Sequence, residues 1–124
     1  MDHIRKLPDA ELTVMQAVWD SVPPVSRAQI ETVLQSEHPM AMTTLLTLLT
    51  RLTEKGFLTV SKDGRSNVYS PTLTRQQYVT AQSRRFFDRV CAGSISTLAS
   101  ALCDSGLTKD ELAQLRELLQ EDSL

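Results

Sequence analysis

The sequence of 124 residues predicts a mainly α-helical chain with one small β-hairpin. Three observations predict it. Capping signals recur along the chain, each leading into apolar residues at helical spacing. One Asp63-Gly64 pair separates two β-rich runs, a strong short-range hairpin signal. Beyond about residue 73 only helical patterns remain.

The first helix is expected from about Pro8 to Asp20, with proline in the first helical position. Leu12, Met15, Val18 and Trp19 form its apolar stripe. Ser21-Val22-Pro23-Pro24 breaks it. Ser26 opens a second helix with a capping box, because Gln29 follows three residues on, and Val25 and Ile30 occupy the staple positions. Ile30, Val33 and Leu34 are expected to face inward. His38-Pro39 ends that helix, and a third begins at about Met42 or Thr43. Gly56 is placed to end it in a left-handed cap. The strands are expected at Phe57–Ser61 and Ser66–Ser70, with Pro71 closing the second. Thr74-x-x-Gln77 opens a long helix to about Val90. Gly93 interrupts it, Ser94–Cys103 forms a short helix, and Thr108-x-x-Glu111 caps a last one.

Composition narrows the function classes. Hydrophobic content of 41% and charged content of 23% suit a folded soluble protein. No apolar run approaches the roughly 18 residues of a membrane span, and the N-terminus lacks the apolar core of a signal peptide, so a cytoplasmic location is expected. Net charge is −2, but its distribution is uneven. Residues 1–40 carry three Lys/Arg against six Asp/Glu, a balance of −3. Residues 41–75 carry five against two, a balance of +3, and residues 76–124 five against seven, a balance of −2. The basic excess sits on the third helix and the hairpin, a local nucleic-acid footprint.

That segment, Thr43 to Tyr69, carries the functional signal. Leu45, Leu48, Leu49 and Leu52 fall at i, i+3, i+4, i+7 and can bury one stripe. Thr43, Leu46, Thr47 and Thr50 repeat the spacing on another face, flanked by Arg51. Hydroxyls and methyls there can meet phosphates and base edges in a major groove. Lys62 and Arg65 lie around the hairpin tip. A hydroxyl-bearing helix followed by a basic hairpin is what a winged-helix DNA reader needs. The expected division is a winged-helix DNA-binding domain over 1–73 and a helical dimerisation domain over 74–124.

The dimerisation reading rests on apolar surface. Phe86, Phe87, Val90, Ile95, Leu98, Leu102, Leu112, Leu115 and Leu119 exceed what three short helices can bury on each other. Within their helices Ile95, Leu98, Ala99 and Leu102 are expected to face inward. Phe86 and Phe87 are adjacent and so point different ways, which suggests a second chain. The alternative is that the tail folds back on the first domain.

With these residues in place the chain resembles the BlaI/MecI/CopY family of bacterial winged-helix repressors, also called the penicillinase-repressor family. The resemblance runs over nearly the whole chain. Asp9-Ala10-Glu11 with Met15 and Trp19 matches the family's opening, and Thr43-Thr44-Leu45, Thr47-Leu48-Leu49, Arg51-Leu52 and Lys55-Gly56 its recognition helix. Gly64-Arg65-Ser66 and Tyr69-Ser70-Pro71 match the wing; Phe86, Phe87, Gly93-Ser94 and Leu112-x-x-Leu115 match later segments. The resemblance implies a homodimeric repressor whose partners are double-stranded operator DNA, arranged as a palindrome, and a second copy of itself. It further implies release by an upstream signal, either metal at a C-terminal cysteine cluster or a membrane sensor-protease acting in the C-terminal helices.

The departures bear on release. Residues 106–124 hold no cysteine, which argues against copper sensing. The Asn-Phe pair often cleaved in such members aligns with Ala101-Leu102. Pro8 stands where the family usually places a Ser or Thr cap.

At the residue level, Thr43, Thr44 and Thr47 are expected to meet DNA from the N-terminal end of the helix. Threonine is a poor helix former, so four in eight residues needs a reason. Leu46 either packs on a thymine methyl or is a lone exposed leucine. Arg51 either clamps a phosphate or pairs with Glu54. Lys62 and Arg65 are expected at the DNA backbone or minor groove. Ser26 is first a cap, and with Arg27 a candidate phosphate contact. His3 and His38 have no ligand-spaced neighbours, so no metal and no cofactor are expected. Cys91 and Cys103 are expected to be reduced and at least partly buried, and no catalytic arrangement is visible. Two other classes stay open: a winged-helix protein-interaction adaptor, and a redox-responsive regulator sensing through Cys91 or Cys103.

Overall fold

The computed structural model describes residues 4–122, and the side chain of Asp122 is left aside; His3 lies outside the described residues. The chain divides into two compact units, Met1–Gln82 and Ser83–Leu124.

In the first unit α1 spans Asp9–Trp19, β1 Val25–Ser26, α2 Arg27–Leu34, α3 Met42–Glu54, β2 Leu58–Asp63, β3 Ser66–Pro71, and α4 starts at Arg75. Pro8 is the N-cap of α1 and not its first helical residue: its backbone is extended, with ψ 154°, and its carbonyl accepts from the Leu12 N–H at 2.9 Å. The stripe of α1 is Glu11, Val14, Met15 and Val18, all buried, while Leu12 and Trp19 are partly buried at its edge. The α2 box is complete: the Gln29 N–H donates to Ser26 Oγ at 3.2 Å and the Ser26 N–H to Gln29 Oε1 at 2.8 Å. Val25 and Ile30 are fully buried, as a staple requires. Val33 is exposed, contrary to expectation. An eight-residue helix reaches the core along a narrow line, and Ile30 and Leu34 define it.

All four leucines of the α3 stripe are buried. Its end is a Schellman cap: the Phe57 N–H bonds to the Leu52 carbonyl at 2.9 Å and the Gly56 N–H to that of Thr53 at 3.0 Å. Gly56 takes φ +84°, which any side chain would strain. The hairpin runs two residues further than expected on its first strand, with Asp63 opposite Ser66. The loop is therefore Gly64-Arg65, with Gly64 at φ +65°, the Gly-x pattern of a type II′ turn. β1 carried no sequence signal. It pairs with β3 through Val25 opposite Tyr69 and Ser26 opposite Val68, giving the order β1-β3-β2.

The α4 box is also complete, through Thr74 and Gln77 at 2.9 and 3.0 Å. A domain boundary at residue 73 would place this whole helix in the second domain. Its first turns belong to the first unit because their side chains hold α1. The Tyr78 hydroxyl accepts from the Leu7 N–H at 2.9 Å, and its ring meets those of Trp19 and Phe57. Arg75 binds Gln16 at 2.9 Å and Asp20 at 2.7 Å, and Trp19 Nε1 donates to the Leu73 carbonyl at 3.0 Å.

The second unit contains the end of α4 at Arg85, a π-helical turn over Phe86–Val90, α5 over Ile95–Asp104 and α6 over Lys109–Asp122. The expected single helix to Val90 thus changes winding in its last five residues, where the Cys91 N–H reaches back to the Phe86 carbonyl at 3.1 Å. Ala92 at φ 53° and Gly93 at φ 73° then turn the chain. Ser94 caps α5 by accepting from the Thr97 N–H, and Thr108 with Glu111 boxes α6. The Arg84–Asp88 hydrogen bond holds the exposed Asp88 carboxyl below its usual range.

Among the described residues of this unit only Cys91 is buried. Leu98, Leu102, Leu112 and Leu115 are half-buried, as is Phe87 under the Arg84 guanidinium. Ile95 and Ala99, expected to face inward, are exposed, because the unit has no core for them to enter. Phe86, Val90 and Leu119 are exposed, and Val90 and Ile95 retain 70% and 69% of their surface.

Candidate nucleic-acid interface

The interface is built on α3 because one side of it is committed. With Leu45, Leu48, Leu49 and Leu52 inside, the opposite face presents Thr43, Leu46, Thr47 and Thr50, all exposed. Thr44 and Arg51 flank this face and are exposed too. The N-cap is Ala41, whose side chain makes no cap bond, and the first turn carries no acid. The leading N–H groups of α3 and the positive end of its dipole are therefore offered to an anion.

Two threonines are already partly engaged. Thr47 Oγ1 donates to the Thr43 carbonyl at 3.0 Å, and Thr50 Oγ1 to the Leu46 carbonyl at 3.0 Å. Such i−4 back-bonding is the usual fate of Thr inside a helix. It leaves lone pairs and the γ-methyl for a partner, and no free proton.

Arg51, Lys62 and Arg65 are exposed and, among the described residues, their side chains enter no ion pair or hydrogen bond. The anticipated alternative of an Arg51–Glu54 pair is not formed. Lys62 sits in β2 opposite Asn67, and Arg65 is in the loop itself. Ser26 and Arg27 stand differently. Ser26 Oγ accepts the cap bond from the Gln29 N–H, and the charge of Arg27 is paired with Glu31 one turn on.

One supporting pair escaped sequence reasoning. Glu11 is 3% exposed, and its carboxylate accepts from Lys55 Nζ at 2.5 Å. Lys55 is the C-cap of α3, so this bond ties the end of α3 to α1. The available signal was spacing, since Glu11 lies at i of the stripe completed by Val14, Met15 and Val18. Met42, the first residue of α3, is also exposed and adjoins Leu46 at i+4; it was missed because it lay at an uncertain boundary.

His38 is exposed, and among the described residues no three His, Cys, Asp or Glu side chains are grouped to hold a metal. Cys91 is buried while Cys103, on α5, is exposed, which differs from the expectation that both are at least partly buried.

Comparison with known proteins decides the family. The penicillinase repressor family model matches residues 7–121. The chain belongs to the penicillinase repressor family. This family comprises repressors rather than enzymes. The penicillinase repressor of Bacillus licheniformis is 29% identical over 122 residues, covering 98% of this chain and 94% of the relative. The methicillin resistance regulatory protein MecI of Staphylococcus aureus is 26% identical, covering 94% of each. The solved structure of Bacillus licheniformis BlaI, a monomeric form in complex with the blaP half-operator, is 32% identical with a TM-score of 0.52, covering 63% of this chain and 94% of that one. The solved DNA-binding domain of BlaI matches equally, at a TM-score of 0.53. Together with the three-stranded sheet, this makes the penicillinase repressor fold seen here a winged helix.

Proposed function

We propose that this penicillinase repressor family member is a homodimeric, sequence-specific transcriptional repressor that binds a palindromic operator in the cytoplasm and is released by an upstream signal. The observation that carries the reading is the exposed Thr43–Leu46–Thr47–Thr50 face of α3, together with Arg51 beside it and Lys62 and Arg65 on the hairpin, which enter no ion pair among the described residues. Thr44 belongs to the same set at the leading end of the helix. Free Arg51, Lys62 and Arg65 suit phosphates, and the uncapped start of α3 suits another. The BlaI structure supports the DNA partner, since the matching part of that relative is held on a half-operator.

Dimerisation is supported by the second unit. Phe86, Val90, Ile95 and Leu119 leave an apolar surface that one copy does not cover. Leu98, Leu102, Leu112 and Leu115, with Phe87, supply half-buried residues beside it. A palindromic operator follows from two-fold symmetry, each half-site taking one winged helix. The releasing signal acts on the C-terminal helices in this reading; a membrane sensor-protease is one agent, and Ala101-Leu102 lies within α5.

The test is binding of the full chain to duplexes enriched from a randomised library, against scrambled competitors, across a salt series. The reading expects enrichment of an inverted repeat and affinity that falls steeply with salt. Equal binding to enriched and scrambled duplexes would overturn it in favour of an adaptor.

A further inference from the structure

We propose that α3 reads the C5-methyl groups of thymines, through Leu46, the γ-methyl of Thr47 and Met42, with the hydroxyl protons of Thr47 and Thr50 taking no part. This rests on the reading of α3 as the helix that enters duplex DNA. The face holds four residues, Thr43, Leu46, Thr47 and Thr50, and none is an Arg, Lys, Asn or Gln, the side chains that recognise purines by paired hydrogen bonds. The hydroxyl protons of Thr47 and Thr50 are held by the carbonyls of Thr43 and Leu46, each at 3.0 Å. Leu46 is 39% exposed between them, and Met42, 49% exposed, sits one turn before it.

A surface of this kind has one landmark in a major groove. Each base pair there shows acceptors or donors, but only thymine carries a methyl. The surroundings select a duplex over an apolar protein partner. Arg51 flanks the face, Lys62 and Arg65 stand free on the hairpin, and the first turn of α3 has no acid. An apolar partner would meet uncompensated charge; a duplex brings phosphates to it.

The experiment uses the full chain and the duplexes it enriches from a randomised library, remade with deoxyuridine in place of thymine one position at a time. Uracil differs from thymine only by the methyl. Affinity should fall roughly four-fold at each contacted thymine and stay unchanged elsewhere. Thr47→Val should keep both the enriched-over-scrambled preference and the thymine-over-uracil ratio. Thr47→Ser, which keeps the hydroxyl and removes the methyl, should lose that ratio at one position, and Leu46→Ala at another. Ser, Thr and Val have similar helix propensities, so thermal melting of the two Thr47 variants should match the parent.

Equal affinity for uracil and thymine at every position would overturn the proposal. So would a Thr47→Ser variant that keeps the ratio while Thr47→Val loses it, since the hydroxyl would then be the reader. Failure of the DNA reading itself looks different: no duplex is enriched and no binding responds to salt, which removes both.

Discussion

The two units spend their apolar residues in opposite ways. In Met1–Gln82 they close a core: Met15, Ile30, Leu45, Leu49, Leu52 and Leu58 are fully buried, drawn from helices and strands far apart in sequence. In Ser83–Leu124 a similar supply of Phe, Ile, Val and Leu stays at the surface, with Cys91 alone buried among the described residues. A sheet explains the difference. The first unit has β1, β2 and β3 to lay against its helices, whereas the second has short helices only. The first can therefore hold the proposed reading surface by itself, and in the proposed dimer a second copy covers what the second unit leaves exposed.

The comparison breaks most visibly through the second unit. Leu112→Asp with Leu119→Asp should convert a dimer to a monomer by sedimentation at micromolar concentration. Operator affinity should fall by roughly 10²-fold or more as the linked half-sites become independent. Melting of the first unit should not move. A variant that stays dimeric would show that α6 is not the interface.

Next in size is the part-buried pair of the first unit. Glu11→Ala leaves Lys55 without its carboxylate and should cost about 1.5 kcal/mol, the worth of a hydrogen bond between charged groups, lowering the melting temperature by roughly 5–10 °C. A shift of a degree or two would mean that the Lys55 ammonium simply turns to solvent.

The smallest effects sharpen the charge account. Arg51→Ala, Lys62→Ala and Arg65→Ala should each weaken binding across all sequences. Each should also flatten the plot of log affinity against log salt by about one unit per half-site. Arg27→Ala should change the slope less, because Glu31 already neutralises that guanidinium. Equal slopes for all four variants would remove the distinction between free and paired cations.

What was legible in the sequence was local. The boxes at Ser26, Thr74 and Thr108, the left-handed Gly56 and the leucine stripe of α3 are set by residues within one or two turns, and the structure has them all. What was hidden depends on distant partners. β1 is two residues long and exists because Val25 and Ser26 lie beside Tyr69 and Val68. The Glu11–Lys55 bond joins residues 44 positions apart in sequence. The first turns of α4 join the first unit because Tyr78 and Arg75 reach α1 and the residues around it. The Thr, Arg and Lys face of α3 and the hairpin was legible as exposed residues. The pairing of Arg27 with Glu31 and the i−4 bonds of Thr47 and Thr50 are local, but spacing alone does not say which of several local bonds forms.

The central claim is a division of labour: residues 1–82 read a half-site and residues 83–124 couple two readings. It is tested most directly by measuring affinity of the full chain and of the fragment 1–82 for an enriched inverted repeat and for its single half-site. The account predicts that the full chain prefers the inverted repeat by roughly 10²-fold or more. The fragment should bind both duplexes alike, apart from the factor of about two for two equal sites, and still discriminate the half-site from scrambled DNA. A fragment that binds the inverted repeat as tightly as the full chain, or a full chain indifferent to the second half-site, would contradict it.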